Sequence, residues 1–179
     1  GHVRIHANFA HHRDGALRLL GLPEGEGATK AQVHEALQRW NAIDFETQAT
    51  QAGLVVAAAR TAEEWRDSAM HAVIAGQPLV QITRVGDAKP LVWPAKTAEQ
   101  SPLSGLKVLD LTRILAGPVS ARTLAAYGAD VLMINSPHLP NIEAIADVSR
   151  GKRSAWLDLK SAAGMRTMRE LLQDAHVFI

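Results

Sequence analysis

The stretch PLSGLKVLDLTRILAGPVSARTLAAYGADVLMINSP, residues 102–137, decides the fold. An apolar run at Leu106–Leu111 predicts a strand, and a helix is expected to begin at the Gly117–Pro118 step and to end at Gly128. Proline in the first helical turn and glycine just past the last turn are typical of a well-defined helix. A second apolar run, Ala129–Ile134, predicts a second strand. The resulting β-α-β unit favours a parallel sheet covered by helices.

The composition limits the class of protein without selecting one. The chain has 179 residues, of which 47% are hydrophobic and 21% charged, which allows one domain or two small ones. A net charge of +1 gives no electrostatic footprint for nucleic acid or a membrane surface. The absence of cysteine excludes disulfides and thiolate chemistry and fits the cytoplasm. No apolar run approaches the ~20 residues of a membrane helix. We therefore expect a cytoplasmic protein with neither nucleic-acid nor membrane partners.

The residues before this stretch contain their own signals for helix starts, turns and strands. Capping boxes are predicted at Thr29 with Gln32 and at Thr61 with Glu64, each at the start of a helix. Further elements are expected as a helix ending at Gly21, a helix over Asp44–Ala52, a short strand over Leu54–Val56 and a strand over Pro78–Val85. The Gly- and Pro-rich residues 86–100 form the natural linker. The fold class is therefore α/β: a smaller helix-rich α+β module over residues 1–96, followed by a Rossmann-like module with a parallel sheet over 97–179.

Three blocks of the second module resemble one enzyme family. Pro102–Pro118, Tyr127–Pro137 and Gly151–Lys160 are similar, in order and spacing, to the opening of the class III CoA-transferases. This family includes formyl-CoA transferase, carnitine CoA-transferase and α-methylacyl-CoA racemase. The resemblance implies a CaiB/BaiF-type enzyme that binds coenzyme A as a substrate and transfers it between carboxylic acids. The alternatives are an acyl-CoA racemase of the same family, or a non-catalytic fragment or pseudoenzyme half that acts in oligomer assembly. A third alternative is a generic Rossmann-type nucleotide-binding domain.

The first module resembles the other end of the same family. Phe45–Trp65 is similar to the helix, Gly turn, strand and helix near the family's C-terminus. The order would then be tail module before head module, which indicates a junction of a fused two-copy chain or a permuted gene. Val177–Ile179 is interpreted as the start of a buried strand, so the native chain is expected to continue. The family's interlocked dimers imply a homodimer with acyl-CoA and carboxylic acid substrates.

Candidate ligand-binding residues follow the first strand and precede the third. In open α/β sheets, ligands bind at the carboxyl ends of the strands, and N–H groups at a helix N-terminus favour anions. The resemblance assigns the CoA adenosine and phosphates to Arg113, Ile114, Leu115 and Ala116, and a phosphate to the Gly151–Lys152 step. Loss of the Lys152 side chain is accordingly expected to weaken CoA binding at least tenfold, that is by about 1.5–3 kcal/mol. For Arg153 two possibilities stay open, a contact with CoA or an ion pair within the protein.

The chain departs from the family pattern in ways that bear on its chemistry. Asn135 and Ser136 replace an acidic residue and an Arg that can stack on adenine, which weakens the expectation of adenine binding. Asp110 lies near the presumed pocket but is favoured as a cap for the following turn. No catalytic residue is assigned, because the family's nucleophilic Asp and the racemase His–Asp pair come from later segments. The isolated 179-residue chain is therefore expected to show no turnover. The histidines clustered at the N-terminus, His2 to His12, lack the ligand frame of a metal site.

Overall fold

The computed structural model describes residues 1–179, which divide into two compact units, 1–87 and 88–179. The first unit contains β1 (Val3–Ile5), α1 (Ala10–Leu19), α2 (Lys30–Leu37), α3 (Ala42–Gln51), β2 (Val56–Ala58), α4 (Ala62–Arg66) and α5 (Ala69–Ile74). Strands β1 and β2 pair antiparallel, with Val3 opposite Ala58. Phe45 and Ala49 of α3 are fully buried at the centre of this unit. An amphipathic helix therefore packs against a two-stranded ribbon, which is too small to be stable alone.

Both predicted capping boxes are confirmed. Thr29 accepts a hydrogen bond from the N–H of Gln32, whose side chain bonds back to the N–H of Thr29. Thr61 and Glu64 make the same reciprocal pair at the start of α4. Each pair satisfies N–H groups that a helix cannot satisfy internally.

The two strand predictions in this unit need correction. Residues 78–85 form no strand, and the side chains of Leu79, Ile82 and Val85 are almost entirely exposed. A strand needs a hydrogen-bonded neighbour, and the only strand pair of this unit is β1 with β2. The strand predicted over Leu54–Val56 begins at Val56 instead, because the N–H of Leu54 bonds to Ala49 and closes α3.

A half-buried ion pair joins α3 to the residue after β2. Glu46 bonds to the guanidinium of Arg60 and accepts a hydrogen bond of 3.0 Å from the N–H of Ala58. The Arg60 guanidinium holds the pKa of the Glu46 carboxyl below its ordinary value of 4.5, although partial burial acts in the opposite direction. Because the folded-state pKa is depressed, this pair stabilises the unit at pH values above the ordinary pKa. That contribution is lost as pH falls through the depressed folded-state pKa.

We expect Glu46→Gln to lower the melting temperature at pH 7 and to flatten its dependence on pH below about 4.5. The measurement is thermal unfolding of both proteins between pH 3 and pH 7. Glu63→Gln serves as the control, since Glu63 is exposed and makes no side-chain hydrogen bond. An unchanged pH profile in Glu46→Gln contradicts the prediction.

The second unit confirms the predicted α/β class. It contains β3 (Lys107–Asp110), α6 (Ala116–Ala126), β4 (Asp130–Asn135), α7 (Ile145–Val148), β5 (Arg153–Trp156), α8 (Ala162–Asp174) and β6 (Val177–Phe178). The four strands are parallel in the order β5-β4-β3-β6. The predicted β-α-β unit is present as β3-α6-β4. The chain steps outward from β3 to β5 and then crosses to the other side of β3, so the strand order reverses between β3 and β6.

The sheet of this unit is covered on both faces. Val108 of β3 packs with Ala121 of α6, whereas the adjacent Leu109 packs with Met168 of α8. Successive residues of a strand point to opposite faces, so α6 and α8 lie on opposite sides of the sheet. This arrangement leaves the carboxyl ends of the strands as the place where loops can form a site. None of the helices in either unit is long and apolar enough to cross a bilayer.

Candidate functional site

A cavity of about 290 Å³ lies at the carboxyl ends of β3, β4 and β5. Its apolar lining residues include Leu111, Ile142, Ile145, Val148, Leu157 and Leu159. Its polar lining residues include Thr112, Arg113, Asn135, His138, Asp158 and Lys160. Ligands of open α/β sheets bind at this edge, where the strand order reverses. Here the cavity extends from β3 toward β4 and β5, on the side away from the reversal at β6.

The turn between β3 and α6 forms one side of the cavity. Ile114 has a backbone φ of 74°, and it is the only residue other than glycine with a positive φ. The N-cap residue, Leu115, provides no side-chain hydrogen bond to the helix, and Pro118 has no N–H. The first N–H groups of α6 therefore lack a side-chain acceptor, which is the arrangement that binds anions at helix N-termini.

The predicted residues of this turn lie at or beside the cavity. Arg113 and Ile114 line it, whereas Leu115 and Ala116 are exposed next to it at the start of α6. The Nη2 of Arg113 donates a hydrogen bond of 2.7 Å to the carbonyl oxygen of Pro140. This bond draws the loop after β4 toward the turn. Because a guanidinium has five N–H donors, Arg113 keeps donors for a ligand.

The structure corrects the position of Lys152. Its side chain is fully buried, and Nζ lies 2.7 Å from Oδ2 of Asp110 and 2.9 Å from the carbonyl oxygen of Pro118. The ammonium therefore satisfies a buried carboxylate and does not line the cavity. Gly151 does not line it either and occupies a turn with a φ of 76°. Arg153 pairs with Asp130, which is the second of the two possibilities that the sequence leaves open.

Asp110 has the capping role that the sequence favours. Its Oδ1 accepts a hydrogen bond of 2.9 Å from the N–H of Thr112 and another from the Thr112 hydroxyl. Its side chain is fully buried and is also bonded to Lys152. A carboxylate held in this way has no access to a substrate carbon in the cavity.

Three polar residues of the cavity were not identified from the sequence. His138 follows β4, and Asp158 and Lys160 follow β5. Nε2 of His138 lies 3.2 Å from Oδ1 of Asp158, which also accepts a hydrogen bond of 3.0 Å from the N–H of Lys160. The available signal was their position, because each residue lies shortly after a parallel strand, at the edge where ligands bind.

The two positions that depart from the family pattern support the loop after β4. The Ser136 hydroxyl accepts a hydrogen bond of 3.1 Å from the N–H of His138. The nearly buried Asn135 accepts one of 3.2 Å from the side chain of Asn141. Both residues line the cavity, and neither brings a charge to it.

The histidine rings near the N-terminus pack against one another in tilted and edge-to-face arrangements. The rings of His11 and His12 lie 4.1 Å apart between centroids, and that of His6 lies 6.1 Å from His12. Phe9 packs at the edge of the same group. No group of three or more His, Cys, Asp or Glu side chains is placed to hold a metal ion.

Comparison with known proteins gives consistent matches. Residues 103–179 match the profile of CoA-transferase family III. An acyl-CoA transferase of Gibberella moniliformis is 29% identical over 152 residues, which cover 82% of this chain and 26% of the relative. The acetyl-coenzyme A transferase nodX of Hypoxylon pulicicidum is 38% identical over 92 residues, covering 49% of this chain and 16% of the relative. A formyl-CoA:oxalate CoA-transferase of Escherichia coli is 34% identical over 92 residues, covering 44% and 22%.

A solved structure of a CAIB/BAIF family protein from Brucella suis is 36% identical, with a TM-score of 0.38, over 45% of this chain and 25% of that protein. The chain spans about a quarter or less of the length of these curated relatives. The 152-residue match is longer than either unit and so includes residues of both. The similarity to CoA-transferase family III is therefore located in residues 103–179 of this chain.

Proposed function

We propose that this protein is a CoA-transferase that moves CoA between carboxylic acids, and that the second unit forms part of its CoA site. The observation that carries this proposal is the cavity at the carboxyl ends of β3–β5, which lies within the segment matched to the family. The names of the relatives favour transfer over the alternative of racemisation. The cytoplasmic location and the homodimer stay predictions.

The chemistry of the cavity suits a phosphate-bearing ligand. Arg113 and Lys160 place two cationic side chains on its wall, and the N–H groups of α6 begin beside it. Charge-assisted hydrogen bonds from such groups to phosphate are about twice as strong as neutral ones. A volume of about 290 Å³ lies at the lower end of ligand pockets, about 300–1,000 Å³. We therefore expect it to hold one part of CoA, with the remainder outside.

The role that we propose for this segment is to bind and orient CoA. Asp110 is buried in an ion pair, and Asp158 is engaged with His138 and with the N–H of Lys160. Neither carboxylate is placed as a free nucleophile. Binding at Arg113 and at the start of α6 would fix the phosphate end of CoA, so that its thioester end is presented to a nucleophile from another segment. Such fixation lowers the barrier by removing motional freedom before the chemical step.

We expect Arg113→Ala to weaken CoA binding about tenfold, because one charge-assisted contact contributes about 1.5–3 kcal/mol. The measurement is isothermal titration calorimetry with CoA. Arg169→Ala is the matched control, since Arg169 is exposed on α8 and does not line the cavity. Equal affinities for CoA in Arg113→Ala and the control would remove Arg113 from the site.

The reaction itself is tested with two assays of the purified protein. Transfer from an acyl-CoA donor to a free carboxylic acid supports the proposed function. Exchange of the α-proton of an acyl-CoA with deuterated water, without transfer, supports the racemase alternative. CoA binding without either activity is the outcome expected of this chain if the nucleophile comes from another segment, and it is shared with the non-catalytic alternative. Absence of CoA binding contradicts the proposal.

A further inference from the structure

One buried ion pair is bonded to both ends of the turn that lines the cavity. Oδ1 of Asp110 accepts the N–H of Thr112 at the beginning of this turn. Oδ2 of Asp110 accepts Nζ of Lys152, which also donates to the carbonyl oxygen of Pro118 at the end. We call residues 112–118 the binding turn, and Asp110 with Lys152 the clamp. The clamp connects three elements, because Asp110 ends β3, Pro118 lies in α6 and Lys152 immediately precedes β5.

The binding turn has a conformation that its own sequence does not favour. Ile114 has a φ of 74°, and a β-branched side chain is a marked outlier in this left-handed region. The turn also folds back closely on itself, since a Cβ on Gly117 would lie 2.4 Å from Cβ of Thr112. Such conformations persist only where the surrounding structure over-determines them, and they cluster at ligand sites. The clamp provides that constraint at both ends.

Stability alone does not explain the clamp. Both side chains are fully buried, and a buried ion pair contributes little more than a well-packed apolar pair of similar volume. A second role, known for buried ion pairs and polar groups in some proteins, is to select one conformation. In this chain, the conformation it selects is that of the residues that face the cavity.

We propose that the Asp110–Lys152 clamp is a positioning device that holds Ile114 in the left-handed region and thereby directs Arg113 and the N–H groups of α6 toward a CoA phosphate. This inference rests on the proposed function. In this proposal Lys152 acts on the ligand through the binding turn. Its ammonium is buried and paired with Asp110, and it does not line the cavity. The clamp residues are positioning residues and not catalytic ones.

The first test measures the conformation of the turn without ligand. Backbone chemical shifts and scalar couplings of Ile114, which report φ, are compared among the wild type, Asp110→Asn and Lys152→Met. We expect Ile114 to leave the left-handed region in both variants. Asp130→Asn and Arg153→Met are matched controls, because they break an exposed Asp–Arg pair that joins β4 to β5. An unchanged Ile114 in the clamp variants overturns the proposal.

The second test measures CoA affinity by calorimetry. We expect each clamp variant to bind CoA about tenfold more weakly, which corresponds to the loss of one charge-assisted contact. The loss should be smaller in an Ile114→Gly background, because glycine adopts a positive φ without the steric penalty. A loss of the same size in both backgrounds overturns a role through the turn and indicates direct contact of Lys152 with the ligand.

The two tests also separate this inference from the proposed function. If wild-type protein does not bind CoA, while Ile114 responds to the clamp variants, the proposed function fails and the conformational part of the inference stands. If the wild type binds CoA and the clamp variants bind equally well, the inference fails and the function stands. Should a single variant unfold, Asp110→Asn with Lys152→Met leaves no uncompensated charge and carries the same measurements.

Discussion

Replacement of Lys152 with Ala is expected to lower the free energy of unfolding of the second unit by about 3–5 kcal/mol. The change leaves the Asp110 carboxylate without a counter-ion at a site where neither side chain is exposed, and it removes the bond to Pro118. A small domain is stable by only about 5–15 kcal/mol, so this loss is a large fraction of the total. Hydrogen exchange of the β4 amides measures it for this unit alone.

Two comparisons separate the loss of charge pairing from simple truncation. Asp110→Asn combined with Lys152→Met should recover much of the stability, since neither a charge nor a large void is left behind. Arg153 follows Lys152 in the chain and forms an exposed ion pair with Asp130. Arg153→Ala breaks this pair and should lower the free energy of unfolding by less than about 1 kcal/mol. If Lys152→Ala lowers the free energy of unfolding no more than Arg153→Ala does, the prediction that breaking the buried pair strongly destabilises the second unit is wrong.

The parts of the fold that the sequence predicts are those set by neighbours in the chain. The β-α-β unit follows from the apolar runs on either side of the Gly117–Pro118 step, and both occur within 30 residues. Capping boxes such as Thr29 with Gln32 involve residues three positions apart, so the residue types alone identify them. The placement of Arg113 beside the cavity follows in the same way, from its position after β3.

The parts that could not be predicted depend on distant partners. Asp110 and Lys152 are 42 positions apart, and no local pattern shows that the ammonium turns inward. The family resemblance favoured a phosphate contact for Lys152. A resemblance in sequence matches residue types and does not show in which direction a side chain points. The Pro78–Val85 segment has the alternation of a strand, yet a strand exists only where another strand pairs with it. The role of His138 in the cavity depends likewise on the distant Asp158.

Gly117→Ala is expected to weaken CoA binding about a hundredfold, because it displaces two contacts that each contribute about tenfold, the Arg113 side chain and the N–H groups of α6. A Cβ at this position would lie 2.4 Å from both Cβ and Cγ2 of Thr112. Thr112 cannot move away freely, since its N–H and its hydroxyl are both bonded to Asp110. The start of α6 must then move away from β3, at a cost of about 1–3 kcal/mol in stability.

A Gly→Ala substitution at a position with open space tests whether the effect of Gly117→Ala is steric. Gly76→Ala introduces a Cβ into open space, and Gly76 has no positive φ, so neither stability nor CoA affinity should change. Combining Gly117→Ala with Thr112→Gly removes the atoms that clash and should restore part of the CoA affinity measured by calorimetry, although the hydroxyl bond to Asp110 is lost. If Gly117→Ala alone binds CoA with wild-type affinity, the close approach of Thr112 to α6 does not control the site. The phosphate contact would then have to come from another residue that lines the cavity, and Lys160 is the cation to replace next.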